Sequence, residues 1–215
     1  MDILGVSINC PYWANRMENG VVTVRGFEEG KGEASTIQNE IMRLASGSKK
    51  DKPEGKLDFE NITFLARKNR IGIDCSGLIF RIMEAVLEKK DMDMIFPLGI
   101  RKTNADMLTR NLYSQKIDSI KEIAVGDLIR LSSGHHAVII THIEGETVKY
   151  VHSSSRTQIS GVHTGEMVIN KGSETIESQV WKEKTFRGQN WKDKYFHGEE
   201  DGVYRNKFLY TALNP

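Results

Sequence analysis

The 215-residue sequence has only two cysteines, no excess of charge of either sign and no long apolar run. Cys10 and Cys75 allow at most one disulfide, and we expect both thiols to be reduced. Lys and Arg number 30 against 29 Asp and Glu, a formal net charge of +1. This balance argues against nucleic acid as the main partner, because binding its backbone needs clustered Lys and Arg. The missing apolar run predicts no membrane span.

Two further signals are missing. The first ten residues lack a basic segment followed by an apolar core, so no signal peptide is visible. We therefore expect either a cytoplasmic protein or a chain numbered without its leader. Neither Cys-x-x-Cys nor His-Glu-x-x-His occurs, and we expect no metal and no cofactor.

The length of the chain suits a single domain, 1–215. The spacing of its apolar residues changes along this domain. Helical spacing of apolar residues comes first, and alternating patterns follow residue 120, which together predict the α+β class with an antiparallel sheet. The predicted helices cover 35–46, 57–69, a segment from Cys75 onward and about 104–112. The predicted strands are 21–24, 127–131, 136–143, 147–152 and 166–169, and a polar loop is predicted at 47–56.

Cys75 lies at the point where an Asp-Cys-Ser-Gly turn leads into an amphipathic helix. Asp74 or Ser76 can cap the first turn of this helix, which places the thiol among backbone N–H groups. The positive end of the helix dipole then favours the thiolate, which is the nucleophilic form. The alternative interpretation is a small buried apolar residue, the usual role of a free cysteine.

A cysteine nucleophile needs a base, and the base needs a partner that orients it. His135 stands at the start of one predicted strand and His152 at the end of the next, so a hairpin about Glu144–Glu146 would let them meet. Because side chains alternate along a strand, only one of His135 and His136 can point at the thiol, and the period does not decide which. Solvated or packing histidines, and histidines that bind zinc, are the competing interpretations.

Four motifs occur in an order found in a known family: Asp-Cys-Ser-Gly-Leu at 74–78, Gly-Asp-Leu at 126–128, His-x-Ala-Val at 135–138 and Tyr-Val-His-Ser at 150–153. They resemble the NlpC-type family of papain-like cysteine peptidases, many of which cut peptide bonds in bacterial cell-wall stem peptides. The resemblance covers about residues 71–155. It implies a papain-like α+β fold, in which N-terminal helices place the nucleophile at a helix N-terminus against a C-terminal antiparallel sheet.

The resemblance also implies roles for single residues. Cys75 is the expected nucleophile, His135 the expected base and His152 the residue that orients the base. His135 is preferred to His136 because the family's base is the first residue of a His-Val-Gly/Ala strand.

Three more residues are expected on the substrate side of this site. Tyr12, in Pro-Tyr-Trp at 11–13, is the nearest match to a family tyrosine that helps hold the oxyanion, and Asp74 and Ser76 flank the nucleophile. Tyr12 lies far upstream of the cysteine, so this role requires 14–70 to form an inserted helical excursion. Residues 156–215 diverge from the family.

The function implied by these residues is a cysteine hydrolase that cleaves an amide or peptide bond. Its expected partner is a peptide or muropeptide substrate, from peptidoglycan stem peptides or a related small peptide. A thiol-dependent acyltransferase or amidase acting on a non-murein substrate is one alternative. A non-catalytic binding module on a papain-like frame is the other.

Overall fold

Helices and an antiparallel sheet make up the fold, in a computed structural model that describes residues 1–47, 57–92, 99–197 and 199–214. The helices are α1 (Ala34–Ser46), α2 (Phe59–Lys68), α3 (Cys75–Glu88), α4 (Gly99–Lys102), α5 (Ala105–Leu108), α6 (Trp191–Tyr195) and α7 (Lys207–Leu213). The strands are β1 (Asp2–Ile3), β2 (Val6–Ser7), β3 (Arg16–Glu18), β4 (Val21–Val24), β5 (Ser114–Ile117), β6 (Leu128–Leu131), β7 (His136–Glu144), β8 (Thr147–Ser154), β9 (Gly161–Val168), β10 (Val180–Trp181) and β11 (Gly202–Asn206).

Seven strands form one sheet in the order β10-β9-β8-β7-β6-β11-β5. Every neighbouring pair in it is antiparallel. Two successive hairpins, β7–β8 and β8–β9, form its centre, and their register places His152 directly opposite His163. The α+β class predicted from the sequence is therefore what the structure has, with 35% helix and 29% strand.

The two faces of β7 belong to two different hydrophobic cores. Ala137 and Ile139 pack with Cys75 and the apolar face of α3. The alternate residues, Val138 and Ile140, pack in a second core that includes Trp181 and Trp191. This division follows from the two-residue period of a strand. It places α3 on one side of the sheet and the C-terminal tryptophans on the other.

The N-terminal part has a core of its own. Ile37 and Ile41 of α1 pack with Ile62 and Leu65 of α2, and with Ile73, which leads into α3. Both helices were predicted within one or two residues of their observed ends. Whether 14–70 is an insertion relative to the NlpC-type family stays a prediction. Residues 48–56 of the predicted loop lie outside the described residues.

Two predicted elements differ in extent from those in the structure, and a strand inside the sheet was missed. The helix predicted at about 104–112 is a single turn, α5, because Asn104 caps it and the chain turns away after Thr109. The strand predicted at 166–169 is the end of the longer β9. The strand β11 was not predicted, and it inserts between β6 and β5. Among the described residues, no helix has the length and apolar character needed to cross a membrane.

The N-terminus of α3 is held by a close approach of two backbone segments. Asp74 is the N-cap, and its carboxylate accepts a hydrogen bond from the Gly77 N–H at 2.7 Å. A Cβ atom at residue 77 would lie 2.7 Å from the carbonyl oxygen of Gly30. Only glycine therefore lets the first turn of α3 pack this closely against the segment that carries Lys31.

We expect Gly77→Ala to lower the free energy of unfolding by about 1–3 kcal/mol, because the added methyl group overpacks against backbone that cannot rotate away. Gly172→Ala is the matched control, since a Cβ there would approach only the side chain of Asn170. Urea unfolding of both variants measures the difference. Equal stability of the two variants would contradict the close packing of α3.

Candidate active site

Cys75 is the first residue of α3, and only 6% of its surface is exposed. Its thiol accepts a hydrogen bond from the backbone N–H of Ala137 in β7 and another from the N–H of Ser76. The helix N-terminus is thereby joined directly to the second residue of a central strand. The expected position of Cys75 at a helix start against the sheet is what the structure has.

The ionisation of Cys75 differs from the sequence prediction. Burial raises the pKa of the thiol to about 11, and the charge of Asp74 adds to the rise. The Ala137 N–H, the charge of Lys31 and the Ser76 N–H act in the opposite direction but do not outweigh burial. The helix terminus therefore does not produce a resting thiolate, and the group is a neutral thiol at neutral pH.

Beneath the thiol, a buried lysine holds the cap of α3. The ammonium of Lys31, 6% exposed, donates to the Asp74 carboxylate at 2.7 Å and to the Ser76 hydroxyl. The Ser76 hydroxyl donates in turn to the same carboxylate oxygen at 2.9 Å. Asp74 is thus the cap, as expected. The structure places both Asp74 and Ser76 in this internal network, and neither is among the described residues that line the nearby cavity.

The structure differs from the prediction in which histidine contacts His152. The expected residue, His135, lies in a 3-10 turn before the strand and is exposed. His136 is the first residue of β7, and its Nε2 lies 2.9 Å from the Nδ1 of His152. The sheet pairs His152 with His136 because the β7–β8 register puts these two side chains on the same face, whereas His135 lies before the strand.

A buried carboxylate that the sequence analysis missed lies behind His152. The Oε1 atom of Glu183 is 3.0 Å from the Nε2 of His152 and 2.6 Å from the Nε2 of His163. Tyr150 donates its hydroxyl proton to the other carboxylate oxygen at 2.7 Å. Burial by itself would raise the pKa of Glu183, but the hydrogen bonds from both histidines and from Tyr150 lower it to about 2.

An ionised Glu183 accepts hydrogen bonds only, and this determines where the ring protons lie. His152 must donate from Nε2, so its Nδ1 carries the lone pair and accepts a proton from the Nε2 of His136. The Nδ1 of His136 is then left without a proton. His163 faces Glu183 with one nitrogen and the Gly161 carbonyl, 2.9 Å away, with the other. The ring of His163 thus joins Glu183 to the backbone of β9.

His136 is packed against an aromatic ring from the C-terminal part of the chain. The ring centroids of His136 and Trp191 are 5.3 Å apart, and those of His152 and Trp191 are 4.8 Å apart. Burial lowers the pKa of His136 well below its usual range, and the neighbouring His152 lowers it further. A neutral imidazole with an unprotonated nitrogen is the form that can accept a proton.

Tyr12 lines the cavity that borders His136. This cavity has a volume of about 300 Å³, and Trp191, Arg156 and the exposed His135 also contribute to it. Burial raises the pKa of the Tyr12 hydroxyl, and the nearby Cys75 and Asp74 raise it further. The tyrosine therefore keeps its proton. A bridge pairs its backbone with that of Ile73, two residues before Cys75. The oxyanion role of Tyr12 stays a prediction.

Glu183, His163 and Lys31 could not be identified as site residues by local pattern. Each lies in a segment without a motif, and tertiary contacts alone bring them to Cys75 and His152. His163 is the strand partner of His152 in the β8–β9 hairpin, and the predicted strand at 166–169 began too late to include it.

We expect the alkylation rate of Cys75 by iodoacetamide to rise about tenfold per pH unit from pH 6 to pH 10, because only the thiolate reacts and its pKa is about 11. Mass spectrometry of the labelled peptides separates it from Cys10, whose pKa burial raises to about 12. The Cys10→Ser variant provides the single-thiol control. A rate already constant between pH 5 and pH 8 would instead indicate a thiolate–imidazolium pair.

Comparison with known proteins does not add to this geometry. No protein-family model, no curated protein and no solved structure matches the chain. The function is therefore argued from the arrangement of the side chains themselves.

Proposed function

We propose that this protein is a cysteine hydrolase of the NlpC-type, papain-like kind, which cleaves an amide bond in a peptide. Cys75 is the nucleophile, His136 the base and His152 the residue that orients the base. His136 takes the role that the family resemblance implies for His135. The observation that carries the proposal is the hydrogen-bonded chain from Glu183 through His152 to His136.

This chain supports the proposal because it leaves one nitrogen of His136 ready to accept a proton. The Nε2 of His136 is held by His152, and its Nδ1 is unprotonated. The next residue, Ala137, donates its backbone N–H to the thiol of Cys75. His136 is therefore the chain neighbour of the residue at which β7 meets Cys75, and the proposal places proton transfer at this junction. A nucleophile, a base and a group that orients the base are the parts that thiol catalysis requires.

The resting thiol and the resting imidazole are both neutral, so the proton moves during the attack. As the Cys75 sulfur forms a bond to the substrate carbonyl carbon, its proton passes to the Nδ1 of His136. The imidazolium that results is stabilised through His152 by the Glu183 carboxylate. It then donates the proton to the leaving amine, and the C–N bond breaks to leave a thioester.

Water completes the cycle by the same route. His136 takes a proton from water as the oxygen attacks the thioester carbonyl, and the collapse of that intermediate releases the carboxylic acid. The sulfur recovers its proton from His136. A second amine in place of water would give acyl transfer, which is the alternative that shares every residue of this mechanism.

The oxyanion of each tetrahedral intermediate needs hydrogen-bond donors. The Cys75 backbone N–H at the start of α3 is one, since the first N–H groups of a helix have no partner within it. The Tyr12 hydroxyl is the second, because Tyr12 lines the cavity that borders His136 and keeps its proton.

Peptidoglycan stem peptides are the substrate class that we propose. The family resemblance supports this choice, and the charge of the cavity agrees with it. Arg156 lines the cavity and is exposed. A guanidinium there suits a peptide that carries a carboxylate near the cleaved bond.

We expect His136→Ala to lower kcat/KM on muropeptides by about 10²–10⁴, the usual contribution of a general acid–base group. His135→Ala should stay within severalfold of the unchanged protein, because that histidine is exposed and does not contact His152. The release of free amines measures turnover, and Cys75→Ser gives the background.

Two results would overturn the proposal. A larger loss with His135→Ala than with His136→Ala would mean that the base is the other histidine. Amine release by the unchanged protein no faster than by Cys75→Ser would mean that the protein does not hydrolyse these peptides, and would favour a binding module.

We expect Tyr12→Phe to lower kcat by about 10²–10³, the usual loss when one oxyanion donor is removed. Iodoacetamide labelling of Cys75 should keep its pH profile, since alkylation builds no oxyanion. Comparing both measurements on one protein sample separates the two effects. An unchanged kcat would exclude Tyr12 as a donor.

A further inference from the structure

Three side chains that can bind a metal meet at His152, the residue that contacts His136. His152 and His163 turn their Nε2 atoms toward each other at 3.1 Å, and both face the Oε1 of Glu183 at 3.0 and 2.6 Å. The two rings and the carboxylate are buried, with side-chain exposures of 0%, 5% and 7%. Two imidazoles and one carboxylate are a ligand set that divalent zinc prefers.

The surroundings of these ligands match those of a metal site. The second nitrogen of His163 donates to the Gly161 carbonyl, which fixes the ring so that Nε2 points at the cluster. Tyr150 holds the outer oxygen of Glu183. The second nitrogen of His152 is held by His136. Each ligand is therefore oriented by a partner of its own.

A second cavity borders the cluster. A cavity of about 230 Å³ is lined by His163 and Glu183 together with Thr164, Gly165 and Lys182. It leaves room for water as a fourth ligand on the open side. Three protein ligands and one open position are the arrangement found where zinc exchanges ligands.

We propose that His152, His163 and Glu183 form a zinc(II) site whose occupation disables the base of the thiol chemistry, an inference whose second half rests on the proposed function. Zinc binds its ligands at about 2.0–2.2 Å, which sets tetrahedral neighbours about 3.3 Å apart. From their hydrogen-bonded positions the ligand atoms need to separate by about 0.2–0.7 Å, most of all for His163 and Glu183. The same three ligand atoms can therefore be hydrogen-bonded to one another or, slightly further apart, bound to zinc.

The positions of the ring protons connect the two states. Without zinc, the Nε2 proton of His152 faces Glu183, and the Nδ1 of His152 accepts a hydrogen bond from the Nε2 of His136. Zinc takes the Nε2 lone pairs of His152 and His163, so each neutral ring then carries its proton on Nδ1. The Nδ1–H of His152 must then donate to the Nε2 of His136, which moves the proton of His136 to Nδ1. His136 and His152 each keep one proton, and only the nitrogen that carries it changes.

The shifted proton removes the group that would accept the proton of Cys75. With a proton on its Nδ1, a neutral His136 has no lone pair for the proton of the thiol. Zinc at the buried cluster therefore acts as a reversible inhibitor without contacting the nucleophile. A zinc ion bound directly by the thiol of Cys75 would inhibit as well, so the test must separate the two positions.

Calorimetric titration of the full chain with Zn²⁺ alone tests the site. We expect one zinc per chain, and an affinity at least tenfold lower in Glu183→Gln and in His163→Gln. Cys75→Ala should retain full affinity. His142→Gln is the matched control, because His142 is an exposed histidine beside a glutamate, Glu144. Loss of binding in Cys75→Ala, or unchanged binding in both ligand variants, would overturn the site.

The switch is tested on the unchanged protein, which avoids any variant that folds poorly. The nitrogen-15 chemical shifts of the His136 ring report which nitrogen carries the proton, and we expect the proton to move from Nε2 to Nδ1 when zinc is added. Zinc that binds at the cluster without this change would overturn the switch. This readout needs no substrate, so an absence of muropeptide hydrolysis would count against the proposed function alone.

Discussion

The buried carboxylate of Glu183 is the interaction on which the rest of the site depends. Desolvation opposes its charge, yet two histidines and a tyrosine hydroxyl keep it ionised. Because this carboxylate can only accept hydrogen bonds, the proton of His152 must lie on Nε2. The Nδ1 of His152 can then only accept, so the proton of His136 must lie on the nitrogen that faces it. The reactivity of a residue in β7 is thereby decided by a charge contributed from the segment after β10.

Burial also decides the state of the nucleophile. A cysteine at a helix N-terminus experiences a favourable dipole, but that effect is small beside the cost of a charge in a nearly closed core. The neighbouring Asp74 adds an unfavourable charge of its own, because its carboxylate is needed to cap α3 and to pair with Lys31. The cap that positions the thiol thus also keeps it protonated. Chemistry at such a thiol requires that bond formation and proton transfer proceed together.

His152 connects these two features, and it has one nitrogen for each neighbour. Its Nδ1 serves the base, and its Nε2 serves the carboxylate and the second histidine. A proton acceptor or a metal ion that competes for Nε2 decides which nitrogen of His152 carries the proton. That choice in turn decides which nitrogen of His136 carries its proton. The imidazole ring carries this coupling because its two nitrogens cannot both be donors while the ring is neutral. This coupling therefore acts across one side chain, that of His152.

Local sequence determined the α+β order, the helix that begins at Cys75, its Asp74 cap and the hairpin about Glu144–Glu146. These features depend on residues a few positions apart, and hydrophobic period and capping chemistry describe such neighbours well. Tertiary structure alone decided that His136 rather than His135 contacts His152, that the thiol is neutral, and that Lys31, His163 and Glu183 belong to the site. The reason is physical: strand register, burial and charge pairing arise between segments far apart in the chain, and no local pattern encodes them.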